Sequence, residues 1–133
     1  MNTTNTHQKV VTEKFEITLL EKGIIENHVF PQITIDAPDI LEIKKYNLAL
    51  AQNNPYVVLV TSRHLSGVTK AAMELTARKD FAEQTIGKAL LIESTGHKIV
   101  GNFYLRVNKP YIKTKIFSDR EKAMEWLRGF IKK

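Results

Sequence analysis

Apolar and polar residues first alternate at Phe15-Glu16-Ile17-Thr18-Leu19-Leu20, the period of a strand with one buried face. Glu21-Lys22-Gly23 interrupts the pattern and Ile24 to Phe30 resumes it, which predicts an opening β-hairpin. Gln32-Ile33-Thr34-Ile35 is a further short extended piece. The period then changes. Asp36 is placed to cap a helix that tolerates Pro38 in its first turn. Ile40, Ile43, Asn47 and Leu50 share one helical stripe, with Leu41 and Leu48 beside it, and Asn53-Asn54-Pro55 ends the helix near Gln52. Tyr56-Val57-Val58-Leu59-Val60 is an unbroken apolar run, as expected of a strand covered on both faces. Residues 61–69 read as a loop and 70–77 as a helix capped by Thr69, with 80–86 either extending it or turning. Ala89-Leu90-Leu91-Ile92 is a second buried strand. Residues 96–107 form a helix with Ile99, Val100, Phe103, Tyr104 and Val107 inward, stopped by Asn108-Lys109-Pro110. Lys113–Phe117 alternates as the last strand, and Ser118 with Glu121 makes a capping box for a closing helix over 119–131.

Strands alternating with helices after a hairpin predict an α/β domain: a mixed sheet with about four helices packed on it. The opening residues 1–8 are polar, and 1–12 are expected to be a disordered tail, leaving one domain over 13–133. A chain of 133 residues buries roughly two-thirds of its unfolded surface without staples. It has no cysteine, which excludes disulfides, thiol catalysis and thiolate metal sites. No apolar run reaches the ~18–20 residues of a membrane span, and the N-terminus lacks the basic and apolar regions of a secretory signal, so a cytoplasmic location is expected.

Charge is uneven. The net charge is +6, and residues 98–133 hold ten Lys/Arg against three Asp/Glu, so the whole excess lies in the last third. A basic end can meet nucleic acid, an acidic partner or a membrane surface, or simply be solvated.

The runs Tyr56–Val60 and Ala89–Ile92, the segment Asn102-Phe103-Tyr104-Leu105-Arg106-Val107-Asn108-Lys109-Pro110, and Ile116-Phe117-Ser118-Asp119 with Ala123, Trp126 and Leu127 together resemble the SpoIIAA-like (STAS-like) superfamily. The likeness extends from about Phe15 to Lys132. It is to small stand-alone bacterial STAS/SEC14-like proteins of uncharacterised function, and it implies a SpoIIAA-like sheet opened by the hairpin. Anti-sigma-factor antagonists of this superfamily carry Asp-Ser-Ser-Gly, with a phosphoacceptor serine, before the helix after their central strand. This chain has Ser62-Arg63-His64-Leu65-Ser66-Gly67-Val68-Thr69 there instead, where Ser66 and Thr69 are the hydroxyls that stand at that position.

Open α/β sheets collect ligands beyond the carboxyl ends of parallel strands, near a reversal of strand order. Two segments take that place, 61–69 and 94–98, and both lead into helix N-termini that favour anions. Arg63, His64, Ser66, Thr69, Thr95, His97 and Lys98 are therefore the candidates for engaging a protein partner or an anionic ligand, with Ser66 and Thr69 as candidate phosphoacceptors. Helix capping explains several of the same residue types. Histidine spacing suits no metal site, and no motif supplies nucleophile, base and orienter together, so a non-enzymatic module without cofactor is expected. Lys109, Lys113 and Lys115 with Tyr111 form a basic–aromatic patch of the kind that contacts nucleic acid, but Lys113 and Lys115 alternating with Ile112, Thr114 and Ile116 are better read as the mark of a protected edge strand. A SEC14-like sheet can also leave an apolar cavity under its helices, so a carrier of lipid or another small molecule is the alternative to the regulatory module.

Overall fold

The computed structural model describes residues 8–62, 67–92, 102 and 104–131. Its main sheet has six strands: β1 (Lys9–Val11), β2 (Phe15–Glu21), β3 (Ile24–Val29), β5 (Tyr56–Ser62), β7 (Thr85–Leu91) and β8 (Thr114–Phe117), in that spatial order. β1, β2 and β3 are antiparallel, whereas β3, β5, β7 and β8 run parallel. Two-residue strands β4 (Thr34–Ile35) and β6 (Gly67–Val68) pair separately and in parallel. The helices are α1 (Ala37–Leu50), α2 (Lys70–Ala77), the helical residues 104–107 (α3) and α4 (Arg120–Ile131).

The hairpin forms as predicted, turning at Gly23, whose φ of +82° suits glycine. Residues 9–11, expected within a disordered tail, instead pair with Glu16–Thr18, because the free edge of β2 offers unpaired backbone groups. β6 arises inside the expected 61–69 loop, where Thr34–Ile35 gives it a partner that local sequence does not show. β7 starts at Thr85 rather than Ala89, separated by two residues from a 3-10 turn at Asp80–Ala82.

Strand order follows chain order and does not reverse. The crossovers from β3 to β5, β5 to β7 and β7 to β8 all step the same way, and crossovers of one hand then bring their helices to one face. On that face Ile43 and Ala51 pack with Phe15, Ile17, Ile25, Tyr56 and Val58. The opposite face is covered by α4, where Ala123, Met124 and Leu127 meet Ile24, Val57, Leu59 and Ala89. Gly87 makes this close: a Cβ there would lie 2.9 Å from the Phe130 ring. Alternate residues of β5 thus serve two cores, which accounts for its unbroken apolar run.

α4 begins at Arg120, so the flanking residue is Asp119. Its carboxylate accepts from the Glu121 N–H at 3.0 Å, one position beyond the Ser118 cap expected from sequence. No helix among the described residues is long and apolar enough to cross a membrane.

Candidate functional site

The sheet face that carries α1, α2 and α3 is not filled. Between them lies a cavity of about 510 Å³, within the usual range for a small-molecule site. Its floor is the inward side of the parallel strands, with Val58 and Val60 from β5 and Leu90 from β7. Ile40 and Ile43 of α1, Met73 of α2, and Tyr104 of α3 contribute to the opposite wall. Ile35, Gly67 and Val68 bring the small β4–β6 ladder to its side.

Polar groups are set into this apolar wall at particular points. Asn27 of β3 and Asn47 of α1 are both buried and exchange amide hydrogen bonds of 2.8 and 3.1 Å, so their polarity is satisfied internally. The Thr76 and Tyr104 hydroxyls meet at 2.7 Å and tie α2 to α3. Lys44 of α1 turns inward, donating to the Thr85 hydroxyl at 2.8 Å and to the Glu83 carbonyl. Its ammonium also lies 5.4 Å from the Tyr56 ring centre and 5.2 Å from that of Phe81. Burial lowers this ammonium to about 8, against a partial opposing pull from Glu83.

Lys88 is the less expected group. It sits on β7 between β5 and β8, alternating with Gly87 and Ala89, which face α4, so its side chain lies on the cavity side. Its remaining accessible surface faces that cavity. Its ammonium has no hydrogen bond or ion pair among the described residues, and no described carboxylate lines the cavity. Desolvation lowers its ammonium to about 8, with the nearby Lys44 charge acting in the same direction. The Tyr56 hydroxyl and Ser62 Oγ also line the cavity, buried and without a hydrogen bond. Burial pushes the Tyr56 phenol up to about 12; Thr85 and Asn47 are its polar neighbours.

Of the residues singled out from sequence, Arg63, His64, Ser66, Thr95, His97 and Lys98 lie outside the described residues. Thr69 caps α2, accepting from the Ala72 N–H at 3.1 Å, and donates to the Asp36 carboxylate at 2.7 Å, joining the starts of α2 and α1. This donor, with the Ala37 N–H, holds the Asp36 carboxyl below its ordinary value. Thr61, Ser62 and Gly67, Val68 of the segment 61–69 border the cavity, as do Leu91 and Ile92 before the segment 94–98. Lys109, Lys113 and Lys115 are exposed, and β8 is an edge strand, with Lys115 lying 5.4 Å from the Phe117 ring.

A second polar cluster lies on the α4 face. Arg120 donates to Glu26 at 2.8 and 3.3 Å, the Thr61 hydroxyl donates to Glu26 at 2.7 Å, and His28 Nδ1 meets that hydroxyl at 2.8 Å. Burial acts to raise the Glu26 carboxyl, but the bonds from Arg120 and Thr61 outweigh it and hold it below its ordinary value. Its groups are mutually satisfied, so it closes the sheet onto α4.

Sequence reading missed Lys88 and Lys44. The available signal was Ile86-Gly87-Lys88-Ala89-Leu90-Leu91, a lysine inside a run otherwise fit for a central strand.

The fold is SpoIIAA-like. A crystal structure of an uncharacterized DUF3478-family protein from Shewanella loihica PV-4, described as having that fold, superposes with a TM-score of 0.59 at 16% sequence identity, over 96% of this chain and 99% of that one. No curated protein matches the sequence. Residues 18–131, from the first hairpin strand to the end of α4, match a family described as Domain of unknown function (DUF7793), and the chain belongs to that family.

Proposed function

We propose that this protein is a non-enzymatic binding module whose ligand, a small and largely apolar molecule, occupies the cavity between the sheet and helices α1–α3. The observation that carries this reading is the cavity itself: about 510 Å³ of space under an otherwise packed face, walled chiefly by apolar groups. An apolar lining of that extent is costly to leave against water, and a bound apolar ligand removes it from water. Binding through segments 61–69 and 94–98 then becomes a property of the loaded protein, because residues next to both segments line the cavity. A regulatory partner reading the state of those segments fits the same arrangement.

The test is native followed by denaturing mass spectrometry on protein purified from its own host, with uptake of N-phenyl-naphthylamine by protein that has been unfolded, stripped and refolded. A non-covalent mass lost on denaturation, with probe uptake afterwards, supports the reading. A bare polypeptide that also takes up no probe overturns it.

A further inference from the structure

The geometry points to a ligand with a carboxylate head: Lys88, assisted by Lys44 and the Tyr56 hydroxyl, anchors the acid while the apolar remainder lies along Val58, Val60 and Leu90. This rests on the cavity being the binding site.

Lys88 is a buried cation directed into the cavity with no acceptor among the described residues, and no described carboxylate on the wall compensates it. Isolated charges in apolar surroundings are costly unless paired, so a ligand that supplies the counter-charge gains what the protein leaves unmet. Lys44 lies close enough for its charge to act on Lys88, and it gathers Tyr56 and Thr85 around the same end of the cavity. Tyr56 and Thr85 stand where β5 and β7 begin. Polar capacity is therefore concentrated toward the amino ends of the strands. Beyond it, toward the carboxyl ends, the floor carries Val60 and Leu90, and Asn27, level with Val60, has its amide satisfied by Asn47. A molecule with one acidic end and one apolar end matches this division. Carboxylate suits it better than a phosphate group: two ammonium groups and one free hydroxyl match a carboxylate's two oxygens, whereas a dianion with three exposed oxygens would meet too few donors.

Among the described residues, the charge that acts on Lys88 is Lys44 of α1. Tyr56 of β5 and Tyr104 of α3 are titratable groups on the same cavity wall, and Glu83, in the turn before β7, acts on Lys44 and Tyr56. An acid's affinity should thus fall as pH rises past about 8 and the amines lose their protons, while a neutral ligand's should not.

The experiment compares decanoate with decanol, chains of equal length with and without the acid, by calorimetry on the stripped protein. Decanoate is expected to bind about tenfold tighter at neutral pH, and the advantage to vanish near ~pH 10. Lys88→Met is expected to abolish the acid preference while retaining decanol binding, and Lys44→Met to reduce it less. Equal binding of the two by the wild-type protein overturns the carboxylate assignment and leaves the cavity reading standing, as does a preference that survives Lys88→Met. Binding of neither overturns both. Should Lys88→Met not fold, the wild-type comparison across pH decides the matter.

Discussion

A lysine in the middle of a parallel strand gives up most of its hydration, and at Lys88 nothing among the described residues replaces it. Its ammonium titrates at about 8 in the folded chain against 10.5 ordinarily. Between those values the unfolded chain holds a proton that the folded one does not, so stability rises with pH across the window. Below about 8 both states are protonated and the full penalty persists; above 10.5 both are neutral and it is gone. Lys88→Met should accordingly stabilise the ligand-free protein at neutral pH, by on the order of 3 kcal/mol, with the gain shrinking as pH approaches 10.5. Urea denaturation at several pH values measures it. A destabilised variant would mean that Lys88 has a structural partner. A residue that weakens the free fold where it borders a cavity belongs to the class of local conflicts that mark functional positions.

At the scale of elements, the closing helix separates sequence pattern from realised cap. Ser118-Asp119-Arg120-Glu121 permits two starts, and the structure takes Asp119, whose negative charge also suits the positive end of the helix dipole. Asp119→Ala should cost about 1 kcal/mol in thermal or urea unfolding, and Ser118→Ala only a few tenths. Equal losses would return the cap to Ser118. Strand β7 teaches a related lesson. Its first half, Thr85-Ile86-Gly87-Lys88, places Gly and Lys, both depleted in strands, after two strand formers, and it is held by backbone pairing to Tyr56–Val58 and by the fit of Gly87 beneath Phe130. Neighbouring strands, more than local propensity, set where it begins.

For the molecule as a whole, the one-way order of strands decides where space is left. Three crossover helices share a face, while among the described residues α4 covers the other and packs tightly against it. Filling the space from the sheet side should separate binding from folding: Val60→Phe enlarges a partly buried, cavity-lining side chain that packs against the core of Ile17, Ile25 and Val58. Its melting temperature is expected to be unchanged or higher, with uptake of apolar probe lost. Retained uptake would place the ligand elsewhere. The same scale explains the basic last third. Arg120 and Arg128 fold back onto Glu26 and Glu21 of the opening hairpin, at 2.8 and 2.6 Å, so part of the positive excess is compensated by acids a hundred residues earlier.

Periodicity and capping residues in the chain itself determined the hairpin, the start of α1 at Asp36, the doubly covered strand β5 and the helix after Thr69, since each depends on contacts with near neighbours or on which faces are buried. The mixed sheet with helices followed from their order. Tertiary structure alone decided the pairing of Lys9–Val11 with β2, the β4–β6 ladder, the unreversed strand order and the cavity. Sequence pattern reports that a residue is apolar or charged, and a filled core and a hollow one share that pattern. Whether Lys88 meets water, a carboxylate or empty space is settled by where three separate crossovers bring their helices, which no stretch of local sequence contains.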